Sequence, residues 1–98
     1  AMGWHLNGRA AAVWGTHTHV PTADVRVLPG GTGYITDLGM TGGVESVIGV
    51  RWEQSVRMFR GELTERFKPS DRDCRVQGAV FEIDQQGKCI GARRVELR

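Results

Sequence analysis

Glycine is the feature that most limits what this chain can fold into. The sequence has 98 residues, and half of its 14 glycines lie between Gly30 and Gly49. Glycine lowers helix stability and permits tight turns. Its distribution therefore predicts a long, tightly turned loop region rather than a continuous framework of helices. A chain of this length forms one small domain or a piece of a larger one, and its core is modest.

The composition describes an ordinary globular chain. Apolar residues make up 40% and charged residues 24%, close to globular averages, which argues against disorder. The formal charge is +2 with the two signs interspersed, and no run of lysine and arginine is long enough for a stable nucleic-acid complex. The sequence also has no apolar run of membrane length and no signal-peptide pattern. We therefore expect a cytoplasmic protein without membrane or nucleic-acid partners.

The two cysteines, Cys74 and Cys89, flank a predicted hairpin that turns at residues 84–87. In that register Cys89 lies opposite a residue near Ile83, whereas Cys74 lies opposite the chain end near Arg98. A disulfide needs its two Cα atoms within about 7 Å. We therefore predict two free thiols, and the spacing also lacks the CxxC pattern of a zinc site.

Two segments have helical patterns. Residues Met2 to Asn7 are interpreted as the end of a helix that Gly8 closes as a C-cap, and His5 is expected to be a partly exposed helical residue. A second helix is predicted at about Arg51 to Arg60, because apolar residues recur there on one amphipathic face. The members of this face are Trp52, Val56, Phe59 and Leu63.

Short strands are predicted around these helices. The apolar run Ala10 to Trp14 is typical of a central strand covered on two faces, and further strands are expected at Val25 to Leu28 and Tyr34 to Leu38. Gly39 to Gly43 is interpreted as a loop. The end of the chain predicts a β-hairpin around the turn Asp84 to Gly87. Its apolar faces are Ala79, Phe81 and Ile83 on the first strand and Cys89, Gly91, Val95 and Leu97 on the second.

His17 and His19 are the residues best suited to chemistry. They are two positions apart in a polar segment that follows a predicted strand, and side chains at positions i and i+2 of an extended chain point the same way. Imidazole is the commonest protein ligand for borderline transition metals, and sites in open α/β sheets lie past the carboxyl ends of strands. The neighbouring Thr16, Thr18 and Asp24 are candidates to hold the rings by hydrogen bonds.

The spacing alone also fits two solvated loop histidines, which is the more frequent explanation of such a pair. Two imidazoles do not complete a catalytic centre, because a two-metal site needs several more ligands, commonly including a bridging carboxylate. Neither a Ser-His-Asp nor a Cys-His order stands out, and the glycine-rich run Gly39 to Gly43 lacks the lysine of a phosphate-binding P-loop.

Two longer stretches resemble a known bacterial family. They are GTHTHVPTAD from Gly15 to Asp24 and LPGGTGYITDLGMTG from Leu28 to Gly42. Both are similar to the calcineurin-like metallophosphoesterases that include the 2′,3′-cyclic-nucleotide 2′-phosphodiesterases. Residues Gly3 to Arg9, residues Val47 to Gly49 and the hairpin are similar as well, so the resemblance covers essentially the whole chain.

The resemblance implies a four-layer α/β/β/α sandwich, of which this chain is the carboxy-terminal portion, with a mixed sheet and a carboxy-terminal β-hairpin. In the family the active site holds two metal ions, usually iron or manganese, bridged by a carboxylate and a hydroxide. The hydroxide attacks the phosphorus of a phosphate ester such as a 2′,3′-cyclic nucleotide. His17 and His19 match the last two metal ligands of the family motif, one for each metal.

The other ligands of the family have no counterpart in residues 1–98, which we expect to form a single partial domain without the amino-terminal metal-binding half. Two hypotheses follow. In the first, the chain is a segment of a phosphodiesterase that supplies two histidine ligands but alone binds metal weakly or not at all and has no appreciable activity. In the second, it is an inactive, self-associating small α/β unit, because exposed apolar surface and free strand edges favour a homo-oligomer.

Overall fold

Two three-stranded sheets form the framework of the chain. A computed structural model describes residues 1–98. In the first sheet the strand order is β1-β3-β2, with β1 parallel and β2 antiparallel to β3. In the second sheet the order is β4-β5-β6, and every pair is antiparallel. The α/β class, with a mixed sheet and a carboxy-terminal hairpin, is therefore confirmed. The elements are α1 (Met2–Leu6), β1 (Ala12–Trp14), β2 (Arg26–Val27), β3 (Gly33–Ile35), β4 (Gly42–Gly43), α2 (Trp52–Phe59), β5 (Cys74–Ile83) and β6 (Cys89–Leu97).

The hairpin of β5 and β6 has the predicted turn. The Asp84 carboxylate accepts hydrogen bonds of 2.9 Å from the backbone N–H groups of Gln86 and Lys88, and Gly87 has a φ of 82° that favours glycine. Ile83 pairs with Cys89, as expected. Both cysteines are free, Cys74 exposed and Cys89 buried.

One feature of the hairpin differs from the prediction. A β-bulge separates the pair Glu82–Gly91 from the pair Ile83–Cys89. Cross-strand partners share a face, and the extra residue of the bulge shifts the alternation. Cys89 therefore lies on the face of Phe81, while Gly91 lies on the opposite face. The assignment of Cys89, Gly91, Val95 and Leu97 to one face was wrong for this reason.

The core is small and lies where β3 meets the hairpin. Ile35 is fully buried, and Leu28 and Cys89 are nearly so. Gly33 lies so close to the hairpin that a side chain there would collide with the Phe81 ring and with the Cys89 sulfur. Trp14 stacks on Phe81 with 6.3 Å between the ring centroids and 27° between their planes. These contacts dock the hairpin on the first sheet.

The strands before the hairpin are shorter than the sequence predicted. The expected strands at residues 10–14 and 34–38 shrink to Ala12–Trp14 and Gly33–Ile35, because the chain beyond each strand turns into the loops described below. The expected loop at residues 39–43 contains the short strand β4, which pairs with the start of β5. A side chain at Gly43 would lie 2.5 Å from the Ser70 carbonyl oxygen, so only glycine lets this pairing form.

Helix α2 forms as predicted, but its apolar face does not enter the core. Trp52, Val56 and Phe59 are exposed, Phe59 by 84%, and Leu63 lies beyond the helix end. Polar contacts hold the helix instead: the Gln54 side chain accepts a hydrogen bond of 2.8 Å from the Lys68 N–H and donates one of 3.2 Å to the Arg66 carbonyl. With eight residues α2 is the longest helix, and none in the chain is long and apolar enough to cross a membrane.

Strand β1 is an edge strand rather than the predicted central one. It pairs with β3 on one side and with no strand on the other. Trp14 at its end stays 56% exposed. The chain thus leaves a free strand edge and an apolar helix face open to solvent.

We propose that the isolated chain self-associates through these surfaces. Covering a large apolar side chain contributes about 1.5–3 kcal/mol, and a two-fold contact covers the same residues twice. Size exclusion with light scattering at micromolar concentration should give a mass above that of the monomer. The Val56→Ser/Phe59→Ser double variant should shift the mass toward the monomer, whereas Arg60→Ser, an exposed polar control, should not. A wild-type monomer at every concentration contradicts the proposal.

Candidate functional site

The segment from His17 to His19 lies at the carboxyl end of β1. Since β1 and β3 run parallel with Trp14 opposite Ile35, the chain leaving β1 and the chain leaving β3 emerge at the same edge of the sheet. Gly15 makes this possible: its carbonyl accepts a hydrogen bond of 3.0 Å from the Leu38 N–H, and any side chain on it would collide with the Thr36 carbonyl oxygen. The expected position of the histidine pair past a strand end agrees with the structure.

The backbone at the two histidines is unusual. His17 has a φ of 110° and His19 a φ of 65°, a region that residues other than glycine seldom adopt. The segment is therefore bent and not extended as predicted, so an extended backbone does not direct the two rings. Only four non-glycine residues have positive φ, and three of them, His17, His19 and Ile48, belong to this site. Strained backbone clusters at functional sites.

Asp37 holds the histidine segment in place. It is buried, and its carboxylate accepts hydrogen bonds of 2.8 Å from the Thr18 N–H, 2.7 Å from the Thr18 hydroxyl and 2.8 Å from the Gly39 N–H. The hydrogen bond from the Thr18 hydroxyl is the main cause that holds the pKa of Asp37 below its ordinary value, and the bond from Gly39 adds to it. A positive charge on His19 lowers this pKa further. The residue between the two histidines is thus bound to an ionised carboxylate.

A second carboxylate secures the chain that follows. Asp24 accepts hydrogen bonds of 2.6 Å from the Thr22 hydroxyl and 3.1 Å from the Thr36 N–H, and the Thr36 hydroxyl also donates to it. The Thr22 N–H in turn donates to the Asp37 carbonyl over 3.1 Å. Of the residues expected to hold the imidazole rings, Thr18 and Asp24 hold the backbone instead, and Thr16 is exposed without a side-chain hydrogen bond.

The ring of His19 has a partner that the sequence did not suggest. Its Nδ1 lies 2.7 Å from the carbonyl oxygen of Ile48, 29 residues later in the chain. The His17 ring is exposed and makes no hydrogen bond, and His5 lies exposed in α1, as expected. Asp37 and Ile48 contact the histidine segment, and neither was among the residues expected at the site. Both stand in stretches of the resemblance, Asp37 in the Thr-Asp-Leu-Gly run and Ile48 in residues Val47 to Gly49, but residue types alone do not show that a backbone carbonyl is the partner of the ring.

His19 lies between two hollows in the surface. One, of about 110 Å³, is shared with Met40, Ile48 and Gln77. The other is an open groove of about 510 Å³ that extends from His19 past Ile48 to Phe67 and Lys68. The volume of the groove lies in the range of small-molecule sites.

His17 and His19 are the candidate donors for a metal ion. The chain contains no group of three or more histidine, cysteine, aspartate or glutamate side chains placed to hold a metal. Imidazole nitrogen suits iron and zinc, so the two rings are chemically suited to a transition metal. Two imidazoles alone would leave most coordination positions of such an ion open.

Comparison with known proteins assigns the chain to a family. The sequence pattern of the YmdB-like protein family matches residues 1–95. The chain belongs to this family. It is 48% identical over 88 residues to the 2′,3′-cyclic-nucleotide 2′-phosphodiesterase of Bacillus subtilis (strain 168), and the match covers 90% of the chain and 33% of that protein. The resemblance seen in the sequence is thereby confirmed.

Solved structures agree with this assignment. A novel phosphatase from Mycoplasma pneumoniae superposes with a TM-score of 0.88 at 40% identity, covering 97% of the chain and 34% of the phosphatase. A hypothetical protein from Thermus thermophilus gives a TM-score of 0.86 at 35% identity, covering 98% of the chain and 38% of that protein. The chain spans about a third of the length of these relatives, and it matches a carboxy-terminal part of the Bacillus protein.

The ionised form of Asp37 should stabilise the fold in a pH-dependent way. The pKa of Asp37 is lower in the folded than in the unfolded protein. The ionised carboxylate therefore stabilises the fold above about pH 4, and this stabilisation is lost as the pH falls through the folded-state pKa. Asp37→Asn should lower the midpoint of urea unfolding at pH 7. Between pH 4 and pH 2 its midpoint should fall less than that of wild type. Asp71→Asn, which changes an exposed carboxylate without hydrogen bonds, is the control. Identical acid profiles for Asp37→Asn and wild type would contradict this role.

Proposed function

We propose that the chain is a segment of a metal-dependent cytoplasmic phosphodiesterase or phosphatase, in which it supplies His17 and His19 as ligands of a dinuclear centre. The observation that carries the proposal is the strained, doubly anchored histidine segment at the shared carboxyl ends of β1 and β3. The similarity to proteins named as a cyclic-nucleotide phosphodiesterase and a phosphatase supports the same reaction class. The proposed substrates are phosphate esters such as 2′,3′-cyclic nucleotides.

In this proposal the chain orients ligands for iron or manganese and does not itself complete the reaction. When bound, the two metal ions supply Lewis-acid activation of the phosphate ester and of the attacking water. Asp37 fixes Thr18, and through it the direction in which the flanking imidazoles leave the backbone. The groove beside His19, with Phe67 and Lys68 on its wall, offers space for the organic group of the ester. The remaining ligands come from outside residues 1–98.

The alternative function is that of an inactive unit that only self-associates. Two observations favour it: the free edge of β1 and the exposed apolar face of α2. The two proposals differ in what they require of His17 and His19. A self-associating unit needs neither ring, whereas a ligand-supplying segment needs both, so metal binding separates them.

Metal affinity should depend on both histidines. Calorimetric titration of the chain with Mn²⁺ or Zn²⁺ should give weak binding, because two imidazoles leave most coordination positions open. The His17→Ala/His19→Ala double variant should lose this binding, while His5→Ala, which removes the remaining histidine, should keep it. Equal binding by the double variant and wild type would argue for the inactive unit.

Activity should appear only when the chain stands in a complete enzyme. The chain alone should not hydrolyse bis(4-nitrophenyl) phosphate. A chimera in which the chain replaces the matching third of the Bacillus subtilis relative should hydrolyse this ester with Mn²⁺. In the chimera, His19→Ala should lower kcat/KM about 100-fold or more, since even residues that only hydrogen-bond to metal ligands contribute about 10–100-fold. His5→Ala in the same chimera is the control. A folded chimera whose rate is unaffected by His19→Ala would rule out the proposed role.

A further inference from the structure

The contact between the His19 ring and the Ile48 backbone determines where the proton of that ring sits. The Nδ1 atom lies 2.7 Å from the Ile48 carbonyl oxygen, and a carbonyl oxygen only accepts hydrogen bonds. Nδ1 must therefore carry the proton, and in a neutral imidazole this leaves the lone pair on Nε2. We propose that the Ile48 carbonyl holds His19 in the Nδ1–H tautomer and presents Nε2 as the metal-binding atom. This inference rests on the proposed function and makes Ile48 a positioning residue.

The turn that carries Ile48 is built to aim this carbonyl. The Val47 N–H donates to the Val50 carbonyl over 2.8 Å, and the Val50 N–H donates back to Val47 over 3.0 Å. Between them Ile48 has a φ of 47° and Gly49 a φ of 98°, and two consecutive positive values characterise the tight turns of two-residue hairpins. The carbonyl direction of Ile48 follows from this turn.

Isoleucine is a poor choice for such a position on local grounds. A β-branched residue with positive φ is a genuine outlier, because the left-handed conformation brings its Cβ too close to the following carbonyl oxygen. Burial does not compensate, since the Ile48 side chain is 55% exposed. The strained backbone of Ile48 directs its carbonyl oxygen at the His19 ring.

Ser46 connects the turn to the second sheet. Its hydroxyl donates to the Gly43 carbonyl over 2.7 Å and accepts a hydrogen bond of 2.9 Å from the Gly49 N–H. Gly43 belongs to β4, which pairs with β5. The ring of His19 is thus tied to the second sheet, while its backbone is tied through Thr18 to Asp37 beside the first. His17 has no such ring partner, so the two histidines differ in how far their rings are fixed before a metal binds.

The tautomer is directly measurable in the metal-free chain. Two-bond ¹H–¹⁵N spectra at about pH 8 distinguish the two ring nitrogens. His19 should show a protonated Nδ1 and an unprotonated Nε2, with exposed His5 as the internal reference for an unconstrained ring. A His19 ring protonated mainly on Nε2, or one with the same pattern as His5, would overturn the inference.

A matched pair of substitutions tests the role of the carbonyl. The Ile48 N–H donates no backbone hydrogen bond, so Ile48→Pro removes mainly the positive φ, which proline forbids. Ile48→Gly accepts that φ readily and keeps the carbonyl. The Nδ1–H form should persist in Ile48→Gly and be lost in Ile48→Pro, with a fall in Zn²⁺ affinity of about tenfold or more in the latter. Loss of the Nδ1–H form in Ile48→Gly as well would count against the carbonyl as its cause.

Zinc titration followed in the same spectra separates this inference from the proposed function. A shift of the His19 Nε2 resonance with Nδ1 still protonated supports both the Nε2 assignment and the proposed ligand role of His19. Zinc bound through Nδ1 overturns the inference and leaves the ligand role of His19 standing. A Nδ1–H ring whose nitrogens do not respond to zinc leaves the hydrogen bond to Ile48 in place but contradicts the proposed function and, with it, the assignment of Nε2 as a ligand.

Discussion

The buried carboxylate of Asp37 is the group on which the arrangement of the site depends. An ionised group taken out of water is stable only when hydrogen bonds replace its hydration, and here Thr18 and Gly39 provide three. These donors lie on two segments, the one that leaves β1 and the one that follows β3. The requirement to satisfy one charge therefore fixes the position of both segments. The strained histidine backbone persists because this network outweighs its cost.

Features of the fold that depend on local sequence were predictable, and those that depend on distant partners were not. The hairpin turn needs only Asp84 and Gly87, and α2 needs only its apolar period. The apolar period of α2 predicts which residues share one face of the helix. It does not predict what packs against that face, so the exposure of Phe59 did not follow from the sequence. The two glycines of β4 have no strand preference, and they pair because β5 and the Ser70 carbonyl leave room for nothing larger.

The same distinction applies to the candidate site. The histidine pair and the recognised family followed from the order of residues along the chain. The partner of the His19 ring did not, because a backbone carbonyl is common to every residue and its direction depends on a φ that isoleucine normally avoids. Thr18 and Asp24 were correctly placed near the histidines, yet their hydrogen bonds support the backbone. The sequence thus predicted which residues lie near the histidines, and the structure showed which atoms each of them binds.

Gly15 shows how such a site restricts the substitutions that the fold can accept. Its α-carbon faces the Thr36 carbonyl across a gap that admits a hydrogen atom and nothing larger, while its own carbonyl binds Leu38. Even alanine would push the end of β1 away from β3 and displace the two histidines together. The position bears no reactive group, yet it excludes every other residue type, because the spacing of two backbones sets the limit.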